Sequence, residues 1–222
     1  MRFQDAARDG RAVVYAGIQA DPLVARAADL LATASVPMRV LARAVMNGMT
    51  TDRNAWTTMF PTLFSPAVPA GERQRAEAIL HVALEVAERG EAVRSQFRGA
   101  IVEELTARLL QGRAGAPVRR ERRILFDGVR AEIHPYDVTV ERDERPEAYD
   151  CKWGARGISD DVLHQLDDAR HHAGDEDVAL RVALVVFDAR RSCAVRLARS
   201  TAPTEGIDVV TIETLDDLAA AR

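Results

Sequence analysis

Three ionisable side chains are spaced so that they could act together on one small group. Asp137 lies in the alternating segment PYDVTV, and thirteen positions later YDCKW carries Asp150 and Lys152 on either side of Cys151. Residues two apart on an extended strand project from the same face, so Asp150 and Lys152 should point together. The surrounding residues are apolar and aromatic, and an unpaired charge buried among them would be costly. Mutual pairing would offset that cost, and so would a bound cation.

The basic residues sharpen the case. Of 30 Lys+Arg residues, Lys152 is the single lysine and all the others are arginine. A compact ammonium with an adjustable pKa does different chemistry from a guanidinium that stays protonated, so a lone lysine two residues after an acid is informative about chemistry. The bland alternative for Asp150 and Lys152 is an exposed ion pair that contributes little to stability. Between Arg113 and Arg123, five arginines stand against one acid, Glu121. Arg119, Arg120, Arg122 and Arg123 are candidates for contact with nucleic-acid phosphates, and a solvated basic loop is the competing reading. Tyr149 and Trp153 could stack on a base, although such residues more often fill a core. His164, His171 and His172 show no i, i+4 pair of the kind that binds zinc. Cys151 and Cys193 are too far apart in sequence, and too few, to indicate a disulfide framework or a zinc site.

The elements that must position these groups follow from hydrophobic period and turn residues. From Asp21 to about Met49 the apolar spacing predicts two packed helices, with Pro37 near a helix start. The stretch TTDRNAWTTMFPTLFSPAVPAG has three prolines and reads as a loop-rich, flexible joint whose Trp56, Met59, Phe60 and Phe64 pack back onto those helices. The next segment, from Gly71 to Arg113, is helix-forming, with Gly90 and Gly99 as its interruptions. From Arg122 the period changes to that of strands, with turns at Asp127-Gly128 and Arg145-Pro146. Ser159 offers an N-cap to a helix with Asp160 and Asp161 in its first turn. ALRVALVVF and DVVTI then read as buried strands, and TLDDLAAA as a last helix.

Taken together, these residues resemble the PD-(D/E)xK, or restriction-endonuclease-like, nucleases over roughly residues 98–187. That family carries an acid on one strand and (D/E)-x-K on the next, here Asp137 and Asp150-Cys151-Lys152. Gly99-Ala-Ile-Val-Glu103 resembles the G-x-x-x-E helix that often precedes this core, although the adjacent Glu104 leaves open which carboxylate points inward. Gln165 matches a glutamine found in the helix after the lysine in several branches. Asp137 follows Pro135-Tyr136 and not an adjacent proline, which departs from the family pattern.

The resemblance implies an α/β fold with a mixed central sheet flanked by helices. It implies catalytic roles for Asp137, Asp150, Lys152, Glu103 and Gln165. Asp137, Asp150, Glu103 and the backbone carbonyl of Cys151 would hold Mg²⁺ or Mn²⁺, hard cations that take oxygen ligands and keep several waters. The expected organisation is a helical amino-terminal region over 1–95, for targeting, partner binding or oligomerisation, and a nuclease domain over 96–222. The expected function is metal-dependent endonucleolytic cleavage of DNA in bacterial restriction, anti-phage defence or repair, with a homodimer as the expected assembly. Two alternatives stay open: an RNA-cleaving enzyme, and a catalytically silent module of the same fold that binds or assembles.

Composition sets outer bounds. The chain has 222 residues and 47% hydrophobic content, enough for a packed core. No apolar run approaches the roughly 18 to 20 residues needed to cross a bilayer, and two aspartates stand where a signal peptide carries positive charge, so a cytoplasmic protein is expected. The net charge of -4 excludes a uniformly basic surface but not a local basic patch.

Overall fold

The structure, a computed structural model, describes residues 1–6, 10–113, 117–127, 129–130 and 134–220. The chain folds as two compact units, one formed by Gly10–Leu105 and the other by Met1–Asp9 together with Thr106–Arg222.

The Gly10–Leu105 unit is helical: α1 (Gly10–Gln19), α2 (Pro22–Ala32), α3 (Val36–Asn47), α4 (Arg53–Met59), α5 (Pro61–Phe64), α6 (Ala70–Ala87) and the first part of α7 (Glu91–Gln111). Asp21 starts α2 by accepting from the Leu23 N–H at 2.8 Å, with Pro22 in the first turn where its missing N–H costs nothing. α6 is the hub that α2, α3 and α5 pack against. Its Ile79, Leu80, Ala83 and Val86 are buried, as are Val24, Ala28 and Leu31 of α2 and Leu41, Ala42 and Val45 of α3. A fully buried leucine of this kind contributes about 1.5–3 kcal/mol relative to leaving it exposed. Arg39 is also fully buried, and its guanidinium donates to the carbonyls of Leu31 (3.2 Å) and Ala32 (3.4 Å), closing the end of α2.

Two expectations change here. The stretch read as a flexible joint forms α4 and α5, because Asp52 caps α4 through the Asn54 N–H at 2.9 Å and Pro61 starts α5. Of its apolar residues, Trp56 and Leu63 are buried while Met59 is exposed. Trp56 lies against Gly48, where an added Cβ would come within 2.4 Å of the indole ring, so only glycine fits. The amino-terminal region is also not wholly helical: Arg2–Asp5 is a strand, β1, of the sheet in the other unit.

That sheet runs β1 (Arg2–Asp5), β2 (Val118–Phe126), β4 (Tyr136–Val140), β5 (Glu147–Lys152), β6 (Arg181–Val186), β7 (Ile207–Val210), with β3 (Val129–Arg130) paired to β2. The β1–β2–β4–β5 side is antiparallel and β5–β6–β7 is parallel. Parallel neighbours need a crossover. α8 (Asp160–Asp175) connects β5 to β6, and α9 (Arg190–Leu197) connects β6 to β7. Leu163, Leu166, Ala169 and Ala173 of α8 share one core with Ala148 of β5 and Val182, Leu184 and Val186 of β6. The α/β class and mixed sheet agree with expectation.

α9 was not expected, and the last helix is a single 3-10 turn at Leu215–Leu218. The basic stretch, for which a solvated loop was the competing reading, is β2 from Val118 onward, four residues before the strand period expected from Arg122. Gly128, the expected strand residues Ala131–Ile133 and the middle of the basic segment at 114–116 lie outside the described residues. The division into units falls inside α7, after Leu105, and not at the 95/96 boundary expected from the sequence.

Candidate active site

The first carboxylate is placed by an interruption in strand pairing. β2 pairs with β4 at Arg120↔Val138 and again at Arg122↔Tyr136, so Asp137 faces Glu121 between two paired positions. Glu121 has φ 52°, a left-handed conformation that a non-glycine residue adopts at a cost and that breaks the regular pleat. On the other side, β4–β5 pairing covers Val138↔Tyr149 to Val140↔Glu147. One step beyond, Asp137 stands opposite Asp150, and its Oδ2 accepts the Cys151 N–H at 2.5 Å. A side chain there takes the place of a ladder acceptor.

Asp150 and Lys152 share a face of β5, as the alternation requires. Asp150 is 8% exposed, and its Oδ1 accepts from the Lys152 ammonium. Burial works against the charge on Lys152, but the carboxylates of Asp150 and Asp137 outweigh it and raise its pKa above the ordinary lysine value. Asp137, Asp150 and Lys152 are therefore one electrostatic group. Cys151 points the other way, and its thiol lies 3.5 Å from the Thr106 hydroxyl of α7.

Gln165 does not join this group. It is buried on α8, where its amide donates to the His134 carbonyl at 3.0 Å and accepts the His134 N–H at 3.2 Å. The Tyr136 hydroxyl donates to the Gln165 main-chain carbonyl at 3.3 Å. The geometry thus gives Gln165 a positioning contact with the segment that delivers Asp137.

Glu103 belongs to the helical unit. It is 5% exposed on α7, whereas Glu104 is half-buried. Tyr15 and Gln19 of α1 donate to its two oxygens at 2.5 and 2.7 Å. Gly99, one turn earlier, has a physical reason in this unit: a Cβ there would stand 3.0 Å from the Tyr15 hydroxyl that Glu103 binds.

The basic segment is partly consumed inside the protein. Arg113 is buried and pairs with Glu147 at 2.9 Å, while donating to the Tyr149 hydroxyl at 3.1 Å. Arg181 also reaches Glu147 and the Tyr149 hydroxyl, at 3.1 Å each, and pairs with Asp208 at 2.8 Å. Burial raises the Glu147 pKa, but the Tyr149 hydroxyl and Arg113 outweigh it and hold the carboxyl below its usual range. Tyr149 is raised above the ordinary phenol value by burial and by Glu147. Arg122 pairs with Asp5 and with Glu141, the latter at 2.6 Å. Arg119 is exposed, and Arg120 and Arg123 are half-buried. Tyr149 is fully buried and Trp153 stacks on Phe187 with ring centroids 5.0 Å apart, so both have structural contacts.

Among the described residues, no group of three or more His, Cys, Asp or Glu side chains is assembled to hold a metal ion. The donors that do converge, two carboxylates on adjacent strands, are hard oxygen ligands. They match the one or two carboxylates that Mg²⁺ takes from a protein while keeping its waters. The sequence reading missed Asp188, an acid at the carboxyl end of β6. It is buried and accepts the Ala155 N–H at 3.0 Å and the Ala189 N–H at 2.8 Å. Its signal was its place directly after an apolar strand.

No family model matches the chain, and no curated protein matches it. Among solved structures it is similar to the crystal structure of protein VC1899 from Vibrio cholerae, at 17% identity and a TM-score of 0.44. The match covers 98% of this chain and 56% of that one, so the chain spans just over half of its neighbour's length. No helix among the described residues is long and apolar enough to cross a membrane.

Proposed function

We propose that the chain is a divalent-metal-dependent nuclease of the PD-(D/E)xK class, hydrolysing phosphodiester bonds with DNA as substrate. The observation that carries this reading is the convergence of Asp137, Asp150 and the sole lysine, Lys152, where β4 and β5 leave regular pairing. In this reading Asp137 and Asp150 would hold Mg²⁺ or Mn²⁺, which when bound would polarise the scissile phosphate and lower the pKa of an attacking water. Asp137 keeps its place through the Cys151 N–H. Lys152, held as a cation beside the carboxylates, orients the water and offsets charge that develops on the phosphoryl oxygens. Gln165 fixes the approach of β4 through His134. Exposed Arg119 is the arginine of β2 best placed to meet a phosphate.

A single site severs duplex DNA by pairing with a second copy or by two successive nicks. A homodimer acting in restriction, anti-phage defence or repair is the corresponding assembly. A second reading is a silent binding or assembly module of the same fold, in which the Asp150–Lys152 ion pair is structural only. Incubating the protein with supercoiled plasmid, single-stranded DNA and RNA, each with Mg²⁺, Mn²⁺ or chelator, separates them. Metal-dependent loss of DNA supports the proposal, and loss of RNA alone moves the substrate to RNA. Intact substrates together with no divalent-metal binding leave the silent module.

A further inference from the structure

Lys152 is held by more than its ion pair. β5 ends at this residue, and the chain turns through Trp153 to Ser159 into α8. The turn is anchored at four points. The Phe187 N–H donates to the Lys152 carbonyl at 2.8 Å, Asp188 accepts the Ala155 N–H at 3.0 Å, Arg196 donates to the Ile158 carbonyl at 2.8 Å, and Trp153 stacks on Phe187. A 3-10 turn over Ala155–Gly157, closed by the Gly157 N–H to Gly154 carbonyl bond at 2.8 Å, then brings Gly157 over the lysine side chain.

A Cβ at Gly157 would stand 3.0 Å from Lys152 Cβ and Cδ and 3.1 Å from Cγ. The backbone of Gly157 is outside the left-handed region, so glycine is needed there for closeness and not for conformation. Lys152 Cβ is fixed by the strand and cannot move aside. A methyl group at 157 must therefore rotate the rest of the lysine or lift the anchored turn.

We propose that Gly157, on a turn pinned by Asp188, is a positioning residue that lays the methylene stem of Lys152 along β5 and aims its ammonium at Asp150. A four-carbon stem has many rotamers, and a flat glycine surface against its first three methylenes excludes most of them. The consequence for cleavage rests on the nuclease reading, while the geometric claim does not.

Because Lys152 is the only lysine, protein grown with ¹³C-lysine gives a single lysine spin system. The wild type should show nuclear Overhauser contacts from the Lys152 β, γ and δ methylenes to the Gly157 Hα protons, with well-dispersed methylene shifts. Gly157→Ala should fold with unchanged circular dichroism yet collapse those shifts toward random-coil values. Its kcat for metal-dependent cleavage should fall about 10- to 100-fold with KM nearly unchanged, as for loss of a group that orients an active residue. Asp188→Asn, which loosens the turn without a clash, should move the same shifts part of the way and serves if Gly157→Ala does not fold. If the wild type cleaves nothing, the lysine spectrum still decides the positioning claim. Lysine shifts and kcat unchanged in folded Gly157→Ala, or in folded Asp188→Asn where that variant serves, would overturn it.

Discussion

At the scale of residues, the molecule separates two kinds of charge. Glu147 and Arg113 are buried and mutually paired, with Tyr149 and Arg181 adding further hydrogen bonds. Removing one partner leaves the other charge uncompensated, so Glu147→Gln is expected to cost about 3–5 kcal/mol. The double variant Glu147→Leu with Arg113→Met should lose much less than the two single losses added, because neither charge is then left buried alone. The Glu147 carboxyl sits below its ordinary pKa in the folded state. Its contribution is therefore complete above the ordinary glutamate value and is lost as pH falls through the depressed one. Thermal midpoints of the wild type and Glu147→Gln, measured against pH, should converge in acid and separate as pH rises. Asp150 and Lys152, in contrast, sit where β4 and β5 leave regular pairing, and in the proposed nuclease their pairing would give way to a metal and a phosphate.

At the scale of elements, α8 ties the core to the site. Its N-cap, Ser159, accepts the Val162 N–H at 3.4 Å, and one turn further Gln165 clamps His134. Ser159→Ala should cost about 1 kcal/mol with little change in cleavage. Gln165→Ala should cost about as much in stability, since water can replace its bonds to exposed His134. It should nevertheless lower cleavage about 10- to 100-fold by loosening the delivery of Asp137. Denaturant midpoints paired with cleavage rates distinguish the two variants. α8, β5 and β6 were legible in the sequence because cap, alternation and apolar run all agree there, and the adjacency of Asp150 and Lys152 follows from period alone. α9 was not legible, because RRSCAVRL has no apolar stripe and its helicity follows from the need to cross between parallel β6 and β7. The partners of Arg122 were hidden for a related reason: composition reveals a basic run, but Asp5 and Glu141 become its partners only when β1 and β4 flank β2.

At the scale of the whole molecule, a net charge of -4 on 222 residues means that any nucleic acid must be met locally. Asp137 and Asp150 share the single ammonium of Lys152 as counter-charge, which leaves carboxylate charge for a cation to meet. Binding of Mg²⁺ to the native state alone, at about 100 times its Kd, stabilises by about 2.7 kcal/mol. Thermal melts should therefore rise with Mg²⁺ in the wild type and stay level in Asp137→Asn and Asp150→Asn. The central claim is that Asp150 and Lys152 act on a phosphodiester with a metal. Its most direct measurement is the rate of plasmid nicking in Mg²⁺ or Mn²⁺ by the wild type, Asp150→Ala and Lys152→Ala, each shown to be folded. The account predicts metal-dependent nicking by the wild type and a fall of about 10²–10⁴ in both variants. Nicking that persists at the wild-type rate in either variant would contradict it.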